Sequence, residues 1–383
     1  MFKRAQPLFD GNLREATGNL LLFSMFAMEA AYLYSASPIT LVICGILGAI
    51  TLLFALKDDD SMRPFMVCIA AGIVALVTVN RLWILNCGWT GCLRIVFISL
   101  PIAYLLCTVH INRDAAISFF YVVFIYTAIR VALADPANLF RIFAASSRNY
   151  ISVLLIACAF PYYLACERDR VEVSVFPALL SLPVSIYVQS RGGIIASGIL
   201  YVFTFTREIY LGIVRGSFKN RKTLILFLIS LALFIGIVFL TINNSAVTLS
   251  RFSATNEYPV TRQDMWKEYL AITGTSLKHV VLGTPLSMCP NIISEAFNSH
   301  NSYFMTHSYM GIAGLLAVMA GGIGYLILCI REKQYNLLFL SITFLFRAMT
   351  DYLFPMLFCD CIVLFMIIEA GTYFTRAYYE RKY

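Results

Sequence analysis

Residues 38–56 read PITLVICGILGAITLLFAL, and no charged side chain interrupts them. A helix needs about 20 predominantly apolar residues to cross the hydrocarbon core of a bilayer. Hydrogen bonds within such a helix satisfy its backbone polar groups, which lipid cannot do. The stretch therefore predicts a transmembrane helix. Its unbroken hydrophobicity disfavours a closed β-barrel, whose strands are short and alternate between apolar and polar residues.

Comparable apolar runs recur along the chain and predict an all-α, polytopic transmembrane helical bundle of about twelve helices. The predicted helices lie near 17–36, 38–56, 64–80, 93–110, 115–134, 149–166, 173–190, 192–211, 223–242, 306–329, 335–352 and 355–374.

The amino-acid composition supports the same class. Hydrophobic residues make up 60% of the chain and charged residues 13%, whereas about 45–50% and about 25% are usual in soluble domains. A soluble fold of this length could not bury so much apolar surface. The composition therefore excludes an ordinary soluble globular protein.

The net charge of +8 indicates orientation in the membrane and does not indicate a nucleic-acid partner. Lys and Arg collect in the cytoplasmic loops of membrane proteins. When the N-terminus is placed in the cytoplasm, most of the 29 Lys and Arg residues fall on the cytoplasmic side. The sequence therefore predicts a multi-pass protein with both termini in the cytoplasm.

Three regions follow from this arrangement. Residues 1–242 are predicted to form an N-terminal transmembrane bundle, 243–303 a long exoplasmic loop with short helices, and 304–383 the C-terminal helices and a cytoplasmic tail. Cys87 and Cys92 flank a glycine-containing turn that faces the oxidising side in this orientation. A disulfide between them and two unpaired thiols are both compatible with the sequence.

Ser190-Arg191-Gly192-Gly193 stands at the exoplasmic start of a predicted helix. A helix N-terminus presents free N–H groups and partial positive charge, and an Arg adds a forked donor. Glycine lets a bulky anion approach the backbone closely. These residues could therefore form a phosphate-binding site. Alternatively, Arg191 could lie at the membrane–water interface and cap an ordinary helix.

The long loop contains an amphipathic stretch from Arg262 to Leu270. On a helix, its apolar members would share one face, and Trp and Tyr favour the lipid headgroup region. The stretch could be a lid over a lipid substrate or a filler helix without a function of its own. The four apolar residues are Met265, Trp266, Tyr269 and Leu270.

His300 closes the same loop, and His307 follows seven residues later. The two side chains would share a face if a helix has begun by His300. Histidine titrates near neutral pH and can accept a proton from a sugar hydroxyl as a general base. Hydrogen-bonded interfacial histidines are the alternative. No Cys, Asp or Glu accompanies them at metal-ligand spacing, so no metal site is predicted.

Arg347 and Asp351 lie four residues apart on a predicted membrane helix, and Asp360 lies in the next apolar run. Charges in a membrane are costly unless they are paired or hydrated. The pair could line a polar cavity or could be a structural ion pair. Both interpretations remain open on sequence alone.

Taken in order, these segments resemble the superfamily of O-antigen polymerases and O-antigen ligases. The likeness covers roughly the last 200 residues; the first 180 match only in being apolar and multi-spanning. It is carried by Ser190-Arg191-Gly192-Gly193, by the Arg/Trp stretch and Val281-Leu282-Gly283 of the long loop, and by His300-Asn301-Ser302-Tyr303 running into Met310-Gly311-Ile312-Ala313-Gly314-Leu315.

The resemblance implies a metal-independent, inverting glycosyltransferase of lipopolysaccharide biosynthesis, without a cofactor, at the outer face of the bacterial inner membrane. Its donor would be a glycan on undecaprenyl pyrophosphate. Membrane lipids, a chain-length regulator and a flippase are the other partners that such a role implies.

The same resemblance implies roles for individual residues. Arg191, together with Arg251 or Arg262, would hold the pyrophosphate, and His300 would activate the acceptor hydroxyl. Further candidate substrate-binding residues are Asn301 and Arg347.

Two alternatives to a polymerase remain at this point. An O-antigen ligase would transfer the polysaccharide to lipid A–core, but the apolar stretch 175–189 lacks the basic, His-rich cluster that some ligases carry before the Ser-Arg-Gly stretch. A flippase or other transporter would place its essential charges near the bilayer midplane. The candidate residues fall at one membrane surface, and this favours a glycosyltransferase over a transporter.

Overall fold

The structure, a computed structural model, describes residues 11–57, 63–86, 88–134, 142–214, 216, 221–243, 261–295 and 297–382. These residues fold into helices and connections, and no strand occurs among them. The helices are α1 (Gly11–Ser35), α2 (Pro38–Lys57), α3 (Arg63–Trp83), α4 (Trp89–Thr108), α5 (Arg113–Leu133), α6 (Tyr150–Arg168), α7 (Phe176–Tyr187), α8 (Arg191–Val214), α9 (Arg221–Asn243), α10 (Arg262–Thr273), α11 (Leu277–Leu282), α12 (Pro290–Ser294), α13 (Ser302–Arg331), α14 (Tyr335–Thr350) and α15 (Asp360–Lys382).

In the part of the chain described, eight helices, namely α1 to α6, α8 and α13, are long and apolar enough to span a membrane. The predicted all-helical bundle is confirmed at this level. The predicted number of about twelve spans stays a prediction. Helix α7, for example, has 12 residues and is about 18 Å long, which is shorter than the hydrocarbon core of about 30 Å.

Helix α6 forms the centre of the bundle. Its residues from Tyr150 to Cys166 are all buried, as expected of a helix that is hydrophobic on every side. Its first turn lies beside the connection between α14 and α15, where the Tyr150 hydroxyl donates to the Leu353 carbonyl. Its last turn lies at the other end of the bundle, where Arg168 pairs with Glu369 at 3.0 Å.

The connection between α14 and α15 is not helical. Helices were predicted over 335–352 and 355–374, but α14 ends at Thr350 and α15 begins at Asp360. Asp351 has extended backbone angles, and the Ser302 hydroxyl donates to its carbonyl and accepts from the Leu353 N–H, both at 2.8 Å. The predicted start at 355 is wrong because side chains bind the backbone there. The Pro355 carbonyl accepts from the Tyr352 hydroxyl, the Met356 carbonyl accepts from Arg94, and the Leu357 N–H donates to Asp360 Oδ2.

Helix α13 is broken at Gly311, whose φ of 67° is left-handed. A side chain at Gly311 would overlap the Val281 carbonyl, and one at Gly283 would overlap the His307 carbonyl. Two glycines therefore allow the end of α11 and the break in α13 to meet backbone to backbone. Asn80 reinforces this joint by donating to the carbonyls of Leu282 and Ser308.

Helix α10 appears where the amphipathic stretch predicted it, with a capping box between Thr261 and Asp264. Its apolar face covers protein, since Met265 and Tyr269 pack into a small second core with Met305. The hypothesis that this face rests on lipid is therefore wrong for those two residues. Of the four apolar residues of this face, Leu270 is the exposed one, with 56% of its surface accessible.

Candidate functional site

The sequence candidates converge at one end of the bundle, where α8 and α13 begin and α14 ends. His300 precedes α13 and has a left-handed φ of 50°. Its backbone N–H donates to the Asn298 side chain at 2.8 Å. Because α13 begins only at Ser302, His300 and His307 do not share a helical face.

The His300 imidazole lies between two carboxylates. Its Nδ1 is 3.4 Å from Asp351 Oδ1, and its Nε2 is 3.8 Å from Glu295 Oε2. The side chain is 22% exposed, so the ring is accessible from outside. An ionised carboxylate can only accept a hydrogen bond. Asp351 therefore selects the tautomer with hydrogen on Nδ1, which leaves Nε2 free to accept a proton.

Asp351 is ionised because it is also the partner of Arg347. Arg347 Nη2 lies 2.8 Å from Asp351 Oδ2, and both side chains are buried. Burial raises the pKa of Asp351, but the hydrogen bond from His300 and the charges of Arg347, His300 and Arg262 outweigh burial and hold the pKa well below its usual range. The predicted Arg347–Asp351 pair exists, and it belongs to the same cluster as His300.

Arg347 is fixed by several acceptors. It donates to the Thr350 hydroxyl and to the Asn149 carbonyl, both at 3.1 Å, in addition to Asp351. A Cβ atom at Gly192 would lie 2.9 Å from Arg347 Nη1. The absence of a side chain at Gly192 therefore makes room for the Arg347 guanidinium. The sequence had suggested instead that an anion approaches the backbone at this glycine.

Gly193 serves packing in the same way. A Cβ atom there would lie 2.6 Å from the Ser152 hydroxyl, and the Gly193 N–H donates a hydrogen bond to Ser190 Oγ at 3.3 Å. The first turn of α8 thus packs closely against α6. The close packing leaves the Arg191 side chain at the surface.

Arg191 and Arg262 complete a group of three guanidiniums. Arg191 is exposed and makes no hydrogen bond or ion pair with the residues that the structure describes. Arg262 is partly buried and donates to the Thr350 carbonyl. Burial lowers the pKa of Arg262, the Arg347 and Arg191 charges lower it further, and Asp351 and Glu295 oppose them. The three Arg residues therefore lie within electrostatic reach of one another.

The site carries an excess of positive charge, which makes it suited to an anion. The three guanidiniums of Arg191, Arg262 and Arg347 are accompanied by only two carboxylates, those of Asp351 and Glu295. Two charges are balanced, and the third, on the exposed Arg191, is not. Arg is the side chain best matched to the paired oxygens of a phosphate.

His307 has a structural role. Its Nε2 lies 2.8 Å from the Val280 carbonyl, and its Nδ1 lies 2.7 Å from the Tyr269 hydroxyl. A carbonyl only accepts, so Nε2 carries the hydrogen and Nδ1 accepts from Tyr269. Both ring nitrogens are occupied in joining α10 and α11 to α13. Of the two interpretations offered by the sequence, general base or hydrogen-bonded histidine, the second applies to His307.

Asn301 caps α13. Its side-chain oxygen accepts from the backbone N–H groups of Tyr303 and Phe304 at 2.9 and 3.2 Å. This bond orients the residue next to His300, and Asn301 remains only a predicted substrate contact. Arg251 and Cys87, which the sequence also singled out, lie outside the described residues.

Glu295, Asn149 and Thr350 are site residues that the sequence did not indicate. Glu295 lies in the loop five residues before His300, and Asn149 contributes only its backbone carbonyl to Arg347. A carbonyl acceptor has no signature in a sequence. The only sequence signal for Glu295 is its position five residues before His300.

Within the described ranges, no group of three or more His, Cys, Asp and Glu side chains is arranged to hold a metal ion. Comparison with known proteins found no matching family model, no matching curated protein and no matching solved structure.

Proposed function

We propose that this chain is an O-antigen polymerase, which joins undecaprenyl-pyrophosphate-linked oligosaccharide units on the periplasmic face of the inner membrane. The observation that carries the proposal is the cluster of His300, Asp351 and three Arg residues at one end of a membrane bundle. It combines a general base with a pocket for an anion, and glycosyl transfer from a pyrophosphate needs both.

His300 would act on the acceptor. Its Nε2 takes the proton of a sugar hydroxyl as that oxygen attacks the anomeric carbon of the donor. Asp351 on Nδ1 stabilises the imidazolium that forms, and Glu295 near Nε2 adds a second negative charge. A positioned general base of this kind contributes about 10²–10⁴-fold to a rate.

The Arg residues would act on the donor. As the new bond to the anomeric carbon forms, the bond from that carbon to the pyrophosphate oxygen breaks, and its electron pair leaves with the pyrophosphate. Arg191 is accessible to bind those oxygens, with Arg262 beside it. Arg347 is buried and held by protein acceptors, so its part is to place Asp351 and to add positive charge.

An apolar groove next to the site would receive the lipid part of the donor. Its volume is about 180 Å³, and it lies between α3, α13 and α15. Thr306, one turn beyond Ser302, and the site-side residues Phe354 and Pro355 are in its wall. A polyprenyl chain entering from the membrane would therefore bring its headgroup to the Arg cluster.

A strain that lacks the chromosomal copy tests the proposal. Re-expression of the wild type should restore polymeric surface polysaccharide, and His300→Ala and Arg191→Ala should not, at equal protein levels. His279→Ala is the matched control, because His279 lies in the same loop and binds Ile272 and Thr275 instead of the cluster. Full-length polysaccharide from either site variant would contradict the proposal.

The same strain separates the polymerase from the ligase. Without a polymerase, lipid A–core carries a single repeat unit. Without a ligase, the core is bare and polymer accumulates on the carrier lipid. If the core of the deletion strain is bare, the chain is a ligase and not a polymerase, and His300 and Arg191 keep the same proposed roles.

A further inference from the structure

Helix α11, the short helix from Leu277 to Leu282, has an apolar face that points away from the bundle. Leu277 is 78% exposed, and Val280 and Val281 are exposed as well. Their spacing of three and four residues places the three side chains on one side of the helix. The sequence assigned a lipid-facing role to α10, but two apolar residues of that helix are buried in protein. Helix α11 has the open apolar face that α10 lacks.

The level of α11 along the bundle is fixed by its contacts with the end of α3. The Asn80 side chain donates to the Leu282 carbonyl at 3.2 Å, and Lys278 Nζ lies 5.5 Å from the centre of the Trp83 ring. Helices α3 and α4 are both long and apolar enough to span a membrane, and the chain passes from one to the other between Trp83 and Trp89. A non-helical connection open to lipid does not lie within the hydrocarbon region. Helix α11 therefore lies near the membrane surface.

The connection between α3 and α4 continues the apolar surface of α11. Leu82, Trp83, Leu85 and Trp89 are all exposed. Trp side chains are enriched where the hydrocarbon meets the lipid headgroups. The apolar surface thus extends from two membrane-spanning helices onto α11, and this continuity indicates that lipid covers both.

The charges beside this face also match a lipid surface. Lys278 on α11 and Arg81 in the last turn of α3 are both exposed. A Lys side chain packs its methylene groups along apolar surface and keeps its ammonium group at the polar boundary. The attraction of that ammonium to an aromatic face adds to this preference at Trp83. Positive charge next to apolar side chains is suited to phospholipids, whose headgroups carry phosphate.

Protein side chains satisfy backbone acceptors at the end of α11. The last carbonyls of a helix have no partner within the helix, and lipid supplies no donor. The Val280 carbonyl accepts from His307 Nε2 at 2.8 Å, and the Leu282 carbonyl accepts from Asn80. These two carbonyls therefore need no water, so the end of α11 can lie against lipid.

We propose that α11 lies in the headgroup region of the leaflet at the His300 end of the bundle, with its apolar face against lipid. The hydrogen bond from His307 and the close approach of the Val281 carbonyl to Gly311 join α11 to α13, whose first turn follows His300. Helix α11 thereby fixes the depth of the His300 cluster at the level of the phosphates of a lipid-linked donor. This consequence rests on the proposed function, whereas the position of α11 in the membrane does not.

Spin labelling of the full-length protein in liposomes of phosphatidylethanolamine and phosphatidylglycerol tests the position of α11. A nitroxide at Leu277→Cys should collide more often with oxygen, which concentrates in lipid, than with a water-soluble nickel chelate. The two collision rates should place the label about 5–10 Å into the boundary between headgroups and acyl chains. The background is Cys68→Ala with Cys87→Ala, which removes an exposed thiol and one outside the described residues.

Gln263→Cys, on the exposed side of α10, is the control and should collide more often with the nickel chelate. Leu277 is exposed, so its replacement removes little packing within the chain, and we expect the labelled variant to fold. More frequent collisions with the nickel chelate at Leu277→Cys would show that the apolar face lies in water and would overturn the proposal. Infrequent collisions with both reagents would overturn it too, because protein, such as a second copy of this chain, would then cover the face.

The consequence for the site has its own measurement in polymer synthesis, and the spin-label result does not depend on it. Leu277→Asp combined with Val281→Asp places two charges against lipid. We expect synthesis to fall at least about tenfold, because a small displacement of α13 moves His300. Leu277→Phe combined with Val281→Phe keeps the face apolar and should retain synthesis at equal protein levels. Equal synthesis by the two double variants would show that α11 does not set the depth of the site.

Discussion

Gly192 controls the position of the Arg347 guanidinium, and this can be tested by adding one methyl group. In Gly192→Ala, the new Cβ would lie 2.9 Å from Arg347 Nη1, so either the helix or the guanidinium must shift. We expect a cost of about 1–3 kcal/mol in stability and a loss of about 10²-fold in polymer synthesis, because Asp351 and His300 move with Arg347. The measurements are thermal unfolding in detergent and glycan length.

The control for that substitution lies on the same helix. No atom lies within 4 Å of a Cβ placed at Gly198, so Gly198→Ala should leave both measurements close to wild type. If the two alanine variants behave alike, the space beside Gly192 is not what positions Arg347.

Asp351 should make the protein sensitive to acid. Its pKa in the folded protein lies below the ordinary value of 3.8. The folded state therefore prefers ionised Asp351, and its stabilising contribution is complete above the ordinary value and is lost as the pH falls through the lowered one. Asp351→Asn should remove this part of the acid dependence and cost up to about 3–5 kcal/mol at neutral pH, because Arg347 loses a buried partner.

Thermal unfolding from neutral pH down to below the ordinary Asp value measures both effects. The exposed Asp114, which pairs with the neighbouring Arg113, provides the control Asp114→Asn, which should keep the wild-type acid dependence. An unchanged acid dependence in Asp351→Asn would show that the Arg347–Asp351 pair does not stabilise the folded state.

At the scale of elements, Asn86 holds the loop that precedes α13 against the bundle. Its Nδ2 donates to the carbonyls of Thr284 and Ser308 at 2.7 and 3.0 Å, and its Oδ1 accepts from the Leu286 N–H at 2.9 Å. Asn86→Ala leaves these backbone groups without their partner, at about 1–3 kcal/mol each. We expect faster proteolysis within 277–294, while the helices remain intact.

Asn112→Ala is the matched control for limited proteolysis. Asn112 caps α5 by accepting from the Ala115 N–H at 2.9 Å, and loss of a cap costs about 1 kcal/mol. That variant should not accelerate cleavage of the loop. Equal cleavage in Asn86→Ala and wild type would mean that Gly283 and Gly311 hold the joint without Asn86.

Hydrophobic runs predicted which elements exist, but they did not predict the contacts between elements. The sequence indicated His300, Arg191 and the Arg347–Asp351 pair, because charged residues in apolar surroundings are conspicuous. It did not indicate that Asp351 ends α14 and orients His300, because that depends on a hydroxyl at Ser302. The predicted helix start at 355 was wrong because the Met356 carbonyl and the Leu357 N–H bind the side chains of Arg94 and Asp360, and no local sequence pattern indicates these contacts.

At the scale of the whole molecule, the two ends of the bundle are chemically different. The starts of α6, α8 and α13 surround the His300 cluster. At the opposite end, Glu167 pairs with Arg207 at 2.7 Å and accepts from the Asn336 N–H. Arg331, at the end of α13, is exposed there. The proposed chemistry requires that the first end face the periplasm.

Cysteine labelling of spheroplasts decides the orientation. Gln263 on α10 is exposed at the first end and Arg331 at the second, so Gln263→Cys and Arg331→Cys report on the two sides in a Cys68→Ala background, which removes an exposed native thiol. A membrane-impermeant maleimide should label Gln263→Cys directly and Arg331→Cys only after the membrane is opened. The positive-inside rule predicts this result. The reverse labelling would place His300 and Arg191 in the cytoplasm, where an acceptor displayed on the outer leaflet could not reach them.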